Sequence, residues 1–176
     1  QVADLLMRAR ALWLDQQSLQ NHQTLEALYR QALALEPGNL QALSGLASTL
    51  ALQAANFPNQ LKLDDASRIA LARKAFDLAQ QVKARDPSDA DAYLPIQLYF
   101  REVGDHDAAI QAAQRRVELQ PKGPRAHGAL CALKRAIDDI AGAKSACMKS
   151  VELATHGRPP AESYFNLAHM AFREGK

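Results

Sequence analysis

Apolar residues recur at three- and four-residue steps along most of the chain, which is the period of a helix face and not of a strand. In DADAYLPIQLYFREVGDHDAAIQ, Tyr93, Ile96 and Phe100 mark one such face, Gly104 breaks it, and Asp105 can cap the helix that follows. Together these features predict a helical hairpin. The stretch PRAHGALCALKRAIDDIAGAKSACMKSVELA repeats the plan, with Leu130, Leu133 and Ile137 on a first helix and Ala143, Cys147 and Val151 on a second. NLQALSGLASTLALQ supplies Leu43, Leu46 and Leu50 for an earlier first helix, and AESYFNLAHMAFREGK supplies Tyr164, Leu167 and Ala171 for a last one.

The residues that close each hairpin set the period. Pro37 and Pro87 are 50 residues apart, Pro87 and Pro121 are 34 apart, and Thr155 stands 34 beyond Pro121. The unit is therefore 34 residues, with 16 more (50 − 34) inserted in its second copy. Twelve residues before each stop stand Leu25, Ala75, Ala109 and Ala143, where a mostly small side chain lets two helices cross closely. The predicted hairpins span residues 3–37, 40–87, 90–121 and 124–155, with a partial fifth over 161–176. Within the second, Pro58, Asn56, Asn59 and the pair Asp64 and Asp65 predict an extended loop over residues 53–66, after which Asp64, Asp65 or Ser67 caps a helix running to about Arg85. HGRPPAES, residues 156–163, reads as a lengthened connection before the last helix.

Composition narrows the class. At 48% hydrophobic and a net charge of +2, a chain of 176 residues can bury a real core and has no charge bias that demands nucleic acid or a membrane surface. With runs of valine, isoleucine and threonine scarce, the fold class is all-α. No stretch approaches the roughly 18 apolar residues of a membrane-spanning helix. The absence of a starting methionine and the stop directly after a helix suggest a piece of a longer protein. Cys131 and Cys147 are too few to define a disulfide framework and form no CxxC pair, so their pairing stays open and the cytoplasm is mildly preferred as compartment.

Candidate chemistry is sparse. The sequence lacks HExxH, GxSxG and GxxxxGK motifs, and its glycines stand alone, so catalysis is not expected. His127 and Cys131 share a helix face that Cys147 can approach, but cysteines at such a contact behave as small buried hydrophobes, and neither a metal nor another cofactor is expected. The adjacent carboxylates Asp64, Asp65 and Asp138, Asp139 lie at helix starts, where capping accounts for them. Arg115, Arg116 and Lys134, Arg135 are short basic pairs offset by nearby acids, with few aromatics, so direct nucleic-acid contact is not expected.

The 34-residue period, with its apolar and small positions, resembles the tetratricopeptide repeat. Tyr93, Ile96, Gln97, Phe100, Ala109, Ala113 and Pro121 carry the resemblance in the third copy, Gln97 replacing the usual small residue. Leu43, Leu46, Ala47, Leu50, Ala75, Ala79 and Pro87 carry it in the second. His127, Leu130, Cys131, Lys134, Ala143, Cys147 and Thr155 carry it more loosely in the fourth. In the first copy Leu25, Tyr29, Ala32 and Pro37 match in the second helix.

The resemblance implies a right-handed superhelical solenoid of antiparallel hairpins, about four repeats plus a terminal helix, whose first helices line a concave groove. It implies a scaffold that binds a peptide or helix of a protein partner, not an enzyme. Projected onto this chain, the groove residues are Leu94, Leu98, Arg101, Arg125, Ala132, Arg135, Phe165, Asn166, His169 and Arg173. The lysine and asparagine positions that one subfamily uses to hold chaperone termini are here Leu94, Leu98, Gly128 and Ala132, which disfavours that role. A finer resemblance, in the early insertion and the late lengthened connection, is to the repeat region of bacterial winged-helix transcriptional regulators and class III nucleotide cyclases, and implies a sensing or coupling role as the alternative. Apolar ends offer a route to a dimer, through Ala3, Leu6, Leu12 and Trp13 or through Tyr164, Phe165 and Phe172.

Overall fold

The computed structural model describes residues 1–13, 18–154 and 161–173. Thr155 and most of the lengthened connection at 156–163 lie outside the described residues. Among the described residues, all regular structure is helical: α1 (Val2–Trp13), α2 (Leu19–Leu35), α3 (Leu40–Asn56), α4 (Asp65–Arg85), a 3-10 turn (Ala90–Ala92), α5 (Tyr93–Glu102), α6 (His106–Leu119), α7 (Pro124–Ala136), α8 (Ile140–Leu153) and α9 (Ala161–Arg173). Two compact units divide the chain, Gln1–Gly104 and Asp105–Lys176, so the boundary falls inside the span predicted for the third hairpin.

Helix starts follow from side-chain caps. The side chains of Ser18, Asn39, Asp64, Asp105 and Asp139 each accept a hydrogen bond from the backbone N–H three residues on, at 2.7 to 3.2 Å, so a free donor of each first turn is satisfied. These bonds hold the Asp64 and Asp139 carboxyls below the usual carboxylate range, Asp64 chiefly through Ser67 and Asp139 through the Gly142 N–H and then Lys134. Pro124 opens α7, where its missing N–H costs nothing. Gly104 ends the segment after α5 with φ +81, a left-handed turn that glycine adopts without strain.

In the first unit the core is built from Leu5 and Ala9 of α1, Leu25, Leu28, Tyr29 and Ala32 of α2, Leu46 and Leu50 of α3, Ala75 of α4 and Leu98 of α5. Of these, the repeat pattern marked Leu25, Tyr29, Ala32, Leu46, Leu50 and Ala75, whereas Leu98 was expected in the groove and is buried instead. Tyr29 lies directly over Gly45, where any Cβ would collide with its ring. Gly45→Val should therefore cost about 1 to 3 kcal/mol through overpacking. Urea unfolding of the variant measures it, and an unchanged midpoint would mean that the ring moves aside freely.

The insertion is shorter as a loop than predicted. α3 continues to Asn56 and α4 begins at Asp65, which leaves residues 57–64 as the connection. The alanine-rich end of α3 favours helix, and burial holds it there: Ala54 is fully buried, and the buried Gln53 donates to Glu26 at 3.0 Å. The remaining turn is closed by backbone bonds from Leu61 to Phe57, Lys62 to Asn59 and Leu63 to Pro58. Phe57 packs its ring on His22 of α2, with centroids 5.1 Å apart.

In the second unit α6 packs on α7, α7 on α8, and α9 on both α7 and α8. Cys131 and Cys147, both fully buried at the α7–α8 crossing, form a disulfide with a Cα separation of 5.2 Å. That settles a pairing which residue spacing left open. α9 buries Ser163, Asn166 and Met170 rather than the predicted Tyr164, Leu167 and Ala171; Leu167 and Ala171 are half-buried and Tyr164 is 51% exposed. A polar anchor accounts for the rotation. Ser163 Oγ donates to Ser150 Oγ at 2.9 Å, and Ser150 Oγ donates to the Pro124 carbonyl at 2.8 Å.

Candidate functional site: the first-helix faces

The ten residues projected onto the groove divide between the units. Leu94, Leu98 and Arg101 stand on α5 in the first, and the other seven stand on α7 and α9 in the second. Leu98 is buried in the core of its own unit and Leu94 packs against that core, so both serve the fold. Arg101 is exposed and donates to Glu102 at 3.1 Å, while Glu102 also pairs with Arg68 of α4. α5 is thus tied to α4 by charge.

In the second unit Arg125 is exposed in the first turn of α7, and Ala132 and Arg135 are half-buried. On α9 Phe165 is 65% exposed and lies over His169, with ring centroids 6.4 Å apart. Asn166 is 1% exposed. Arg173 pairs with Asp138, which follows α7 with a left-handed φ of 59, at 3.0 Å. The serine anchor at the start of α9 and this ion pair at its end set α7 and α9 side by side and parallel.

Sequence reasoning missed several polar groups on the first helices. Ser44 and Ser48 of α3 are buried, and Ser48 Oγ donates to the Asp91 carbonyl at 3.4 Å. Gln97 is 4% exposed at the position where the repeat places a small residue, and that departure was its one visible signal. Burial, and then the Asp91 carboxylate, push the Tyr29 hydroxyl up from its ordinary value. Ser44 Oγ, Gln97 Oε1, Arg135 Nε, Asn166 Nδ2 and His169 Nδ1 are buried with no hydrogen-bond partner. Buried polar atoms are nearly always paired, so a set of this kind calls for an explanation.

Among the described residues no group of three histidine, cysteine or acidic side chains could hold a metal ion. The two cysteines are joined and so offer no thiolate, and His127 Nε2 stands 3.0 Å from the Pro121 carbonyl. An open cavity of about 460 Å³ between α1 and α2 is bordered by Asp4, Leu5, Arg8, Gln31 and Leu35. No described helix is long and apolar enough to cross a membrane.

No family model and no curated protein matches the sequence. Solved structures do. A fragment of MamA from Desulfovibrio magneticus RS-1, residue 41 to its end, aligns with a TM-score of 0.60 at 22% identity, covering 87% of this chain and 75% of that one. A double mutant, described as MamA RS-1 ArsTM, gives a TM-score of 0.58 at 22% identity over 86% and 74%. TTC0263, a thermophilic tetratricopeptide-repeat protein of Thermus thermophilus, gives 0.60 at 16% identity over 98% and 100%. At such identities the likeness is one of fold. This chain has a tetratricopeptide-repeat-like fold of α-helical hairpins.

Proposed function

We propose that the chain is a protein-interaction scaffold that binds an extended peptide or a helix of a partner on the exposed faces of its first helices. One observation carries this reading. Exposed polar and apolar side chains stand on first helices, Arg101 on α5, Arg125 on α7 and the 65% exposed Phe165 on α9. Such guanidinium and aromatic groups offer a peptide charge-assisted hydrogen bonds and apolar contact at the surface. The fold adds support, because hairpins of this kind bind ligands on surfaces that their first helices line. The structural neighbours are consistent with a non-catalytic role.

The disulfide between α7 and α8 supports a further detail: the chain matures where thiols oxidise, rather than in the cytoplasm that the cysteine count alone favours.

Peptides selected from a displayed random library on the folded chain test the scaffold reading. Their affinity should fall at least about tenfold, a loss of about 1.4 kcal/mol, in Arg101→Glu or Arg135→Glu. It should hold in Lys149→Glu, whose side chain is exposed on α8 and pairs with Glu152. Equal binding by all three variants would remove the ligand from the first-helix faces.

A further inference from the structure

Among the described residues, every exposed phenylalanine and tyrosine lies on α9: Tyr164, Phe165 and Phe172, the last with 82% of its surface open. The rotation that buries Ser163, Asn166 and Met170 is what turns these rings outward. Phe165 and Phe172 are seven residues apart, two turns on one stripe, with the exposed Ala168 between them. Apolar surface gathered in this way marks an interaction site. The other apolar set expected at an end is spent on its own core, because Leu6, Leu12 and Trp13 of α1 pack against the first unit's cluster.

The spacing along the stripe says what covers it. A second α9 laid antiparallel, about a two-fold axis between Ala168 and His169, sets Phe165 on Phe172 of the second copy and Phe172 on its Phe165. Ala168 then meets Ala168 at the centre, where a small side chain lets two helices come close. The flanks match as well. Glu162 and Arg173 are eleven residues apart, three turns, so they share one flank with the acid at one end and the base at the other. The two-fold inverts that order and brings each glutamate beside an arginine of the other copy, which favours this register. Arg173 is half exposed beyond its pairing with Asp138, so it has surface to give to a second carboxylate. Tyr164 lies on the opposite flank.

Together the three rings expose about as much as two fully open aromatic side chains. At about 150 to 250 Å² for each, the pair covers roughly 600 to 1,000 Å² through the rings alone. That is the size of a weak, reversible interface, below the roughly 1,200 Å² at which stable ones begin.

We propose that α9 is a self-recognition helix, through which two copies of this chain form a two-fold antiparallel pair. This goes beyond the scaffold reading. Phe165 is then covered by the second copy, and a peptide is left the arginines of α5 and α7.

Sedimentation velocity of the chain over about 1 μM to 1 mM, the range in which so small an interface associates, should show its mass rise from monomer to dimer. Phe165→Lys and Phe172→Glu should each weaken pairing at least about tenfold while melting like the parent, since both rings are exposed. An equimolar mixture of the two variants should pair again, because the new lysine of one faces the new glutamate of the other and the remaining phenylalanines still meet. Ala168→Cys should cross-link on air oxidation, the native cysteines being already joined. Ala161→Cys should not, because its two copies lie about 22 Å apart along the axis.

A monomer over the whole range, a dimer that survives both substitutions, a mixture that stays monomeric or equal cross-linking at the two alanines would each overturn this pairing. Library-selected peptides that bind a monomeric chain and are lost in Phe172→Glu would give the stripe to a peptide instead. Pairing that disappears when any residues following Lys176 in the gene product are restored would give it to that segment, and overturn the proposal too.

Discussion

Reduction of the Cys131–Cys147 bond is expected to destabilise the unit containing α6 to α9 by about 3 kcal/mol. The bond joins residues 16 apart in sequence, and in the chain-entropy view a closed loop of that size restricts the unfolded ensemble by about that amount. The loss weighs heavily because this unit has little other large apolar matter. Its buried apolar side chains are mostly alanine, with Leu130, Leu133 and Met170 the large ones. For a unit of this size, that energy corresponds to a fall in unfolding midpoint of more than about 10 °C. Circular dichroism melts with and without dithiothreitol measure it. The Cys131→Ala, Cys147→Ala double variant should melt like the reduced protein and ignore the reductant. Coincident melts of oxidised and reduced protein would show that the crossing is held by packing alone. Thiol labelling of the unreduced, denatured chain should modify neither cysteine.

Leu25→Ala should cost about 2 to 5 kcal/mol, the range for removing a fully buried leucine when its surroundings only partly collapse. Leu25 has no exposed surface, and it sits on α2 in the cluster that joins α1, α2 and α3. Relaxation there is limited by the close contact of Tyr29 with Gly45 one turn away, which fixes the spacing of α2 and α3. Urea unfolding gives the difference directly. A cost below about 1 kcal/mol would mean that the site refills, and that α2 is held less rigidly than its burial indicates. The two experiments separate the units, since the disulfide lies in the second and Leu25 in the first.

Much of the architecture was legible because it is periodic. The 34-residue spacing and the apolar steps of three and four located nearly every hairpin helix. Local chemistry placed the cap at Asp105 and narrowed two others to Asp64, Asp65 or Ser67 and to the pair Asp138 and Asp139, because a side-chain oxygen beside free backbone N–H groups acts over three residues and needs no tertiary context. The insertion was read too widely as loop. Asparagine and proline at its centre signal a break, but whether Gln53 and Ala54 stay helical depended on burial against a neighbour.

The site was less legible than the fold. The sequence named Arg135, Asn166 and His169 as groove residues by position in the repeat, but polarity and position do not tell whether a polar atom finds a partner. That is decided by which groups the packing brings within about 3 Å, and only the tertiary structure showed Asp138 taken by Arg173 and Arg135 left without an acceptor at Nε. The same distinction governs α9. Its apolar residues fit a helix on either of two faces, and the hydrogen bond between Ser163 and Ser150 selected the one that buries Asn166 and Met170 and exposes Tyr164.

By itself, then, the sequence determined the helical class, the repeat length and the places where helices begin and break, because these depend on interactions within a few residues along the chain. The tertiary structure decided the rest: the disulfide, the end of α3 and the rotation of α9. Each depends on the distance between groups far apart in sequence, and that distance exists only once the hairpins have packed.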